Sequence, residues 1–296
     1  MADLTFGPHG IVHSGASVPA VPGFNHVIRA FLNCSKTSET QQFRGFIQGL
    51  PKRDSALSRR NWRVLRFRGM SFRRRQEDVV AHEYVNNGSD IYRESFRIIR
   101  SEANLDRFPT DVEGVVVRMI HAAADPAIAD DIVFTPGVVK AARKALGNGA
   151  PILCDSSMTA TGIIRSRLPR DNETICYIKD PRLADIAKAK NMTKTCAAVD
   201  LWAEEGKLDG AIVAIGNAPT ALYRVLEVCE ETGACPAAVV GIPVGFVGAA
   251  ESKQALVDSP LDLEYLTLLG RRGGSAIAVA AVNAIASTDE LTNNHR

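Results

Sequence analysis

The chain has 296 residues, 46% of them hydrophobic and 23% charged, with a formal net charge of +2. That length suits one large core or two modest ones, and no run approaches the roughly 18 to 20 apolar residues of a membrane-spanning helix, so a globular protein that neither crosses nor sits in a membrane is expected. Six cysteines, Cys34, Cys154, Cys176, Cys196, Cys229 and Cys235, lie at wide, irregular spacings with no CxxC pair, which argues against a zinc knuckle and a disulfide framework and for a reducing cytoplasm.

The small total charge conceals two unlike segments. Residues 1–80 hold 13 Lys and Arg against 5 Asp and Glu, and the remainder 22 against 28, giving +8 and −6. The excess is concentrated in SRRNWRVLRFRGMSFRRRQ, and Arg clusters with interleaved aromatics are one chemistry for binding phosphates and stacking bases. The stretch has no sustained hydrophobic period and no signal-peptide layout, and MADLTFGPHG is a poor opening for a transit peptide. It is read as a disordered basic appendage or a start codon placed too early, with Met70 as an internal start, and no nucleic-acid partner is expected. Residues 81–288 form a single folded domain in this reading, and 289–296 a tail.

From about residue 84 periodic signals begin. SDIYRESFRIIRSEA sets Ile91, Phe96, Ile98 and Ile99 among charges and predicts an amphipathic helix capped by Ser89 or Asp90. DRFPTDVEGVVVRMIHAAA predicts a second, with Thr110 as cap and Glu113 at capping-box spacing. His121, the only histidine between His82 and His295, falls near the C-terminal end of that helix, where the dipole favours protonated imidazole. Arg118, three residues earlier, shares its helical face. Alone, such a histidine is either a polar core residue or a group that handles a proton.

Short apolar runs then alternate with helical stretches. PILCD, TICYI, DGAIVAIG, PAAVVGIPVGF and EYLTLL read as strands covered on both faces. SSMTATGIIRSRL, PRLADIAKAK, KTCAAVDLWAEE, PTALYRVLEVCEE, AAESKQAL and GGSAIAVAAVNAIA read as helices. This alternation predicts an α/β fold, a three-layer α-β-α sandwich around a mostly parallel, doubly wound, Rossmann-like sheet whose ligands gather at the carboxyl ends of the strands. Three loops there, GNAPTAL from Gly216, GFVGAAESK around Gly248 and GRRGGSA around Gly273, offer backbone N–H groups at helix N-termini and imply an anionic ligand. Tight turns needing positive φ are the competing explanation for these glycines. No GxGxxG follows a strand and no GxxxxGK[ST] occurs, so a nucleotide is not indicated.

Taken together, RMIHAAADP, GAPILCDSSMTATGI, DGAIVAIGNAPTAL, PAAVVGIPVGFVGAAESK and GRRGGSAIAVAAVNA, in this order, resemble the precorrin-8X methylmutase family, including its cobalt-precorrin-8 form. Ala123 and Ala124 stand where relatives often carry Gly, and SSM replaces SNM. The resemblance implies an isomerase of cobalamin biosynthesis, without cofactor or bound metal, that moves a methyl group from C-11 to C-12 of a corrinoid and works as a homodimer with its site near the subunit interface. It implies His121 as proton donor and acceptor, with Ser95 and Arg118 as substrate contacts. A corrinoid acid is an apolar disc edged with carboxylates, so Arg271 and Arg272 and the loops of Gly216, Asn217, Gly248 and Gly273 are its expected rim. Three other classes stay open: a Rossmann-type oxidoreductase, a hydrolase with Cys154 as nucleophile and His121 as base, and a corrinoid-binding protein without turnover.

Overall fold

A computed structural model describes residues 82–287, all within the unit Ala81–Arg296. The expectations for residues 1–80, the internal start at Met70 and the 289–296 tail fall outside the described residues.

The first predicted helix is α1 (Gly88–Glu102), but its cap is Asn87, whose side-chain oxygen accepts from the amides of Ser89 at 2.9 Å and Asp90 at 3.2 Å. Ser89 and Asp90 therefore lie inside the first turn. The second is α2 (Thr110–Ala123), and here too the cap differs. Pro109 precedes the helix, and its carbonyl accepts from the amides of Val112 and Glu113 at 2.9 and 2.8 Å. Thr110 makes no capping bond, and Glu113 reaches sideways to Arg100 of α1 at 2.9 Å. A proline with its φ already fixed can open the helix without a hydroxyl. From Gly114 to Ile120 every residue of α2 is buried, so this helix is core on all sides.

A short helix α3 (Ile128–Asp131) leads into β1 (Ile132–Phe134) and then α4 (Val138–Gly147); no element is predicted from sequence for this stretch. Three residues of strand are too few to show a period. Next come β2 (Ile152–Cys154), α5 (Ser157–Gly162), β3 (Thr174–Ile175), α6 (Arg182–Ala189), α7 (Lys194–Glu204), β4 (Ile212–Ile215), α8 (Pro219–Thr232), β5 (Ala238–Gly241), α9 (Ala249–Val257), β6 (Tyr265–Leu268) and α10 (Ser275–Ala286). Every strand and helix predicted after residue 150 has a counterpart, but β3 is shorter than TICYI suggests, and of SSMTATGIIRSRL only Ser157–Gly162 is α-helix, followed by a 3-10 turn at Arg165–Arg167.

The strand order is β1-β6-β5-β4-β2-β3, parallel except for β1, which runs antiparallel to β6 with Ile132 opposite Leu268. Alternation builds the layers. On β4, Ile212 and Ala214 join the core under α2, α4 and α10, while Val213 and Ile215 join the one under α7 and α8. Each fully buried aliphatic side chain contributes about 1.5–3 kcal/mol, which makes the three-layer arrangement the favourable one. Gly162 of α5 lets α10 approach closely, since a Cβ there would sit 2.9 Å from Val279 of α10. The buried Asn283 accepts from the amide of Ile164 at 2.9 Å and donates to the carbonyl of Gly162 at 3.1 Å.

Because β1 is antiparallel, its beginning lies beside the end of β6. The amide of Leu269 donates to the carbonyl of Asp131 at 2.9 Å. The turn that follows α2 is thereby delivered to the carboxyl edge of the sheet, the edge on which the loops after β2, β4, β5 and β6 emerge. Among the described residues no helix is long and apolar enough to cross a membrane.

Candidate active site

Tyr92, Ser95 and Phe96 share one face of α1 by their spacing, and that face meets Arg118 and His121 on α2. The hydroxyl of Ser95 lies 2.8 Å from His121 Nδ1. The imidazole stands 5.2 Å from the ring of Tyr92 and edge-on to Phe96 at 5.6 Å. The Arg118 guanidinium, only 9% exposed, lies over the same two rings at 5.3 and 5.6 Å. A cation on an aromatic face is favourable, more so when desolvated. The Ser95 contact fixes the ring's orientation and engages one nitrogen, which is how a proton-carrying imidazole is held to one tautomer. Ser95, expected to meet substrate, is thus placed to hold His121. Tyr92 was not picked out from sequence, although its position three residues before Ser95 carries the signal.

The loops after β2 and β4 meet where the strand order reverses. Asp155, 2% exposed, accepts from the amides of Gly216 at 3.0 Å, Asn217 at 2.8 Å and Ala218 at 2.6 Å. Burial raises its carboxyl above the usual carboxylate value, against the pull of these amides and of Thr159. The expectation that the amides of Gly216 and Asn217 stand open to a ligand anion is therefore corrected: the chain's own carboxylate takes them, while the Asn217 side chain is exposed. Gly216 is glycine for space, since a Cβ would sit 2.7 Å from both the Ser275 Cα and the Thr159 hydroxyl. Ser156, Thr159 and Ser275 place their hydroxyls within 2.9 to 3.3 Å of one another beside it.

The loops after β5 and β6 lie against each other. A Cβ on Gly273 would come 2.4 Å from the carbonyl oxygen of Pro243, and Gly248 opens α9 at φ 78. Both glycines thus have structural reasons independent of a ligand. Arg271 is exposed, its guanidinium 5.5 Å from the centre of the Phe246 ring. Arg272 instead pairs with Asp125 and Asp131, each at 2.5 Å. Asp125 lies four residues beyond His121, so this pairing brings the loop after β6 to the end of α2. Phe246 and Val247 are 85% and 88% exposed. Cys154 is 1% exposed and burial pushes its thiol well above the usual value, which removes the thiolate that a hydrolase would need.

A family model described as precorrin-8X methylmutase matches residues 90–288. The chain belongs to this family. A Sinorhizobium protein named precorrin-8X methylmutase is 47% identical over 205 residues, covering 69% of this chain and 97% of its own length. A cobalt-precorrin-8 methylmutase of Leptospira interrogans is 36% identical over 208 residues, covering 69% of this chain and 94% of its own. The solved structure titled as the precorrin-8X methylmutase of Thermus thermophilus superposes with a TM-score of 0.62 at 41% identity, covering 69% of this chain and 98% of the other. The methylmutase match contains every residue of the site, from Tyr92 to Ser275. Membership makes the protein an isomerase, an intramolecular methyl transferase of cobalamin biosynthesis.

Proposed function

We propose that the protein moves the C-11 methyl group of precorrin-8X to C-12, with His121 lending one proton to the macrocycle and recovering it. The observation that carries this reading is the Ser95 hydroxyl 2.8 Å from His121 Nδ1, which holds the ring by one nitrogen; in this reading the other, Nε2, exchanges the proton. Protonating the conjugated macrocycle draws electron density toward the protonated site and leaves the migration terminus electron-poor. The methyl shifts, the proton returns and the imidazole is regenerated. An imidazole, ordinarily titrating near 6.5, is matched to giving and retaking a proton close to neutrality.

Tyr92 and the exposed Val244, Phe246 and Val247 offer apolar surface to a flat macrocycle, while Arg271 and Arg118 offer positive charge to its carboxylates. Asn217, with the backbone at Gly248 and Gly273, completes the rim, and Gly216 shapes the loop that presents Asn217. The cobalt-free substrate is preferred because the 47% identical relative carries that name and the 36% identical one the cobalt name. Two copies would cover Phe246 and Val247, so the working form is a homodimer with the site near its interface. The five described cysteines are all free, which suits the cytoplasm. The test is incubation of the purified protein with precorrin-8X while following the visible spectrum. Conversion by the parent and none by His121→Ala supports the reading; binding without conversion would make the protein a corrinoid carrier.

A further inference from the structure

Arg272 was expected on the substrate rim, and its surroundings give it a different task. Its main-chain carbonyl accepts from the Nζ of the fully buried Lys253 at 2.7 Å. The backbone on either side is pinned to the loop after β5, with the amide of Gly245 donating to the Arg271 carbonyl at 3.3 Å and that of Gly274 to the Ile242 carbonyl at 3.0 Å. From this fixed base the guanidinium donates Nη1 to Asp125 and Nη2 to Asp131, each at 2.5 Å. Asp125 follows Ala124, whose left-handed backbone at φ 52 ends α2. His121 is four residues back, in the last turn of α2.

Charge decides against a ligand role. Two carboxylates against one guanidinium leave Arg272 no uncompensated positive charge to offer a substrate edged with carboxylates. Each exposed ion pair alone contributes little stability. A planar fork that grips two carboxylates fixes geometry nonetheless, and it does so where a helix end otherwise frays.

We infer that Arg272 is a positioning residue for His121, fastening the end of α2 to the loop after β6 and so setting the distance between the proton carrier and the substrate rim. This rests on the reading of His121 as proton carrier.

The test compares the parent with the double variant Arg272→Gln, Asp125→Asn, which removes one positive and one negative charge and so leaves the net charge unchanged, and with His121→Ala. Single-turnover rates and KM are measured on precorrin-8X, and the corrinoid product is titrated into each protein. The double variant is expected to lose roughly tenfold or more in kcat, as small misplacements of reacting groups do, with KM and product affinity within about twofold of the parent. Arg272→Gln and Asp125→Asn singly should each lose a similar factor, so that their effects do not add. Both side chains are exposed, and a Tm close to the parent's separates positioning from unfolding. A double variant with unchanged kcat, or one that keeps kcat while product affinity falls roughly tenfold, overturns the inference while an inactive His121→Ala leaves the proton carrier standing. A His121→Ala protein that turns over at the parental rate overturns both.

Discussion

Replacing Lys253 by methionine should change how stability depends on pH. Lys253 is fully buried, its Nζ donating to the Arg272 carbonyl at 2.7 Å, and burial lowers its pKa from 10.5 to about 8, with the Asp131 charge opposing. A displacement of that size corresponds to about 3 kcal/mol between the charged and neutral forms. The folded pKa lies below the unfolded one, so the folded state gives up its proton first. The stability linked to Lys253 is therefore full above pH 10.5 and is lost as pH falls through about 8. At pH 7 the methionine variant escapes the cost of a buried charge but forfeits its hydrogen bond, two effects of similar size. The parent should gain about 3 kcal/mol over Lys253→Met between pH 7 and pH 10.5, seen as a relative rise in Tm of roughly 6–12 °C. Paired urea and thermal unfolding across that range measures it, and groups that titrate alike in both proteins cancel in the difference. A difference that stays constant with pH would show that Lys253 titrates as an ordinary lysine and refute the argument.

Asp155→Asn puts an amide N–H against one of the backbone donors of residues 216–218 and should cost about 2–4 kcal/mol, read as a Tm fall of roughly 5–15 °C; a fall under about 2 °C would mean that the loop finds other acceptors. Ser95→Ala removes the hydroxyl from His121 Nδ1 and should lower kcat roughly tenfold with little change in KM. A raised KM at full kcat would return Ser95 to direct substrate contact. Arg271→Gln should weaken corrinoid product binding roughly tenfold at unaltered single-turnover rate, and calorimetric titration showing parental affinity would make Arg271 a solvent-facing residue.

The local parts of this protein were legible in the sequence. The apolar runs mark five of the six strands because a strand covered on both faces must be apolar along its length, and the spacing of Arg118 and His121 puts them on one helical face. The ordered motifs carry the family resemblance. β1 escaped because three residues show no period, and only its antiparallel pairing with β6 brings the end of α2, and His121 with it, to the edge where the loops converge. The partners across long separations were equally invisible: Ser95 on His121, Asp155 on the amides of residues 216–218, Arg272 on Asp125 and Asp131. A glycine-rich turn at a helix start announces donors in need of an acceptor, but not whether that acceptor is a ligand or the protein's own carboxylate. Periodicity is a property of neighbouring residues and is fixed by the chain alone. Which group meets which depends on register, layer packing and the reach of side chains far apart in the chain, and these exist only once the sheet has closed.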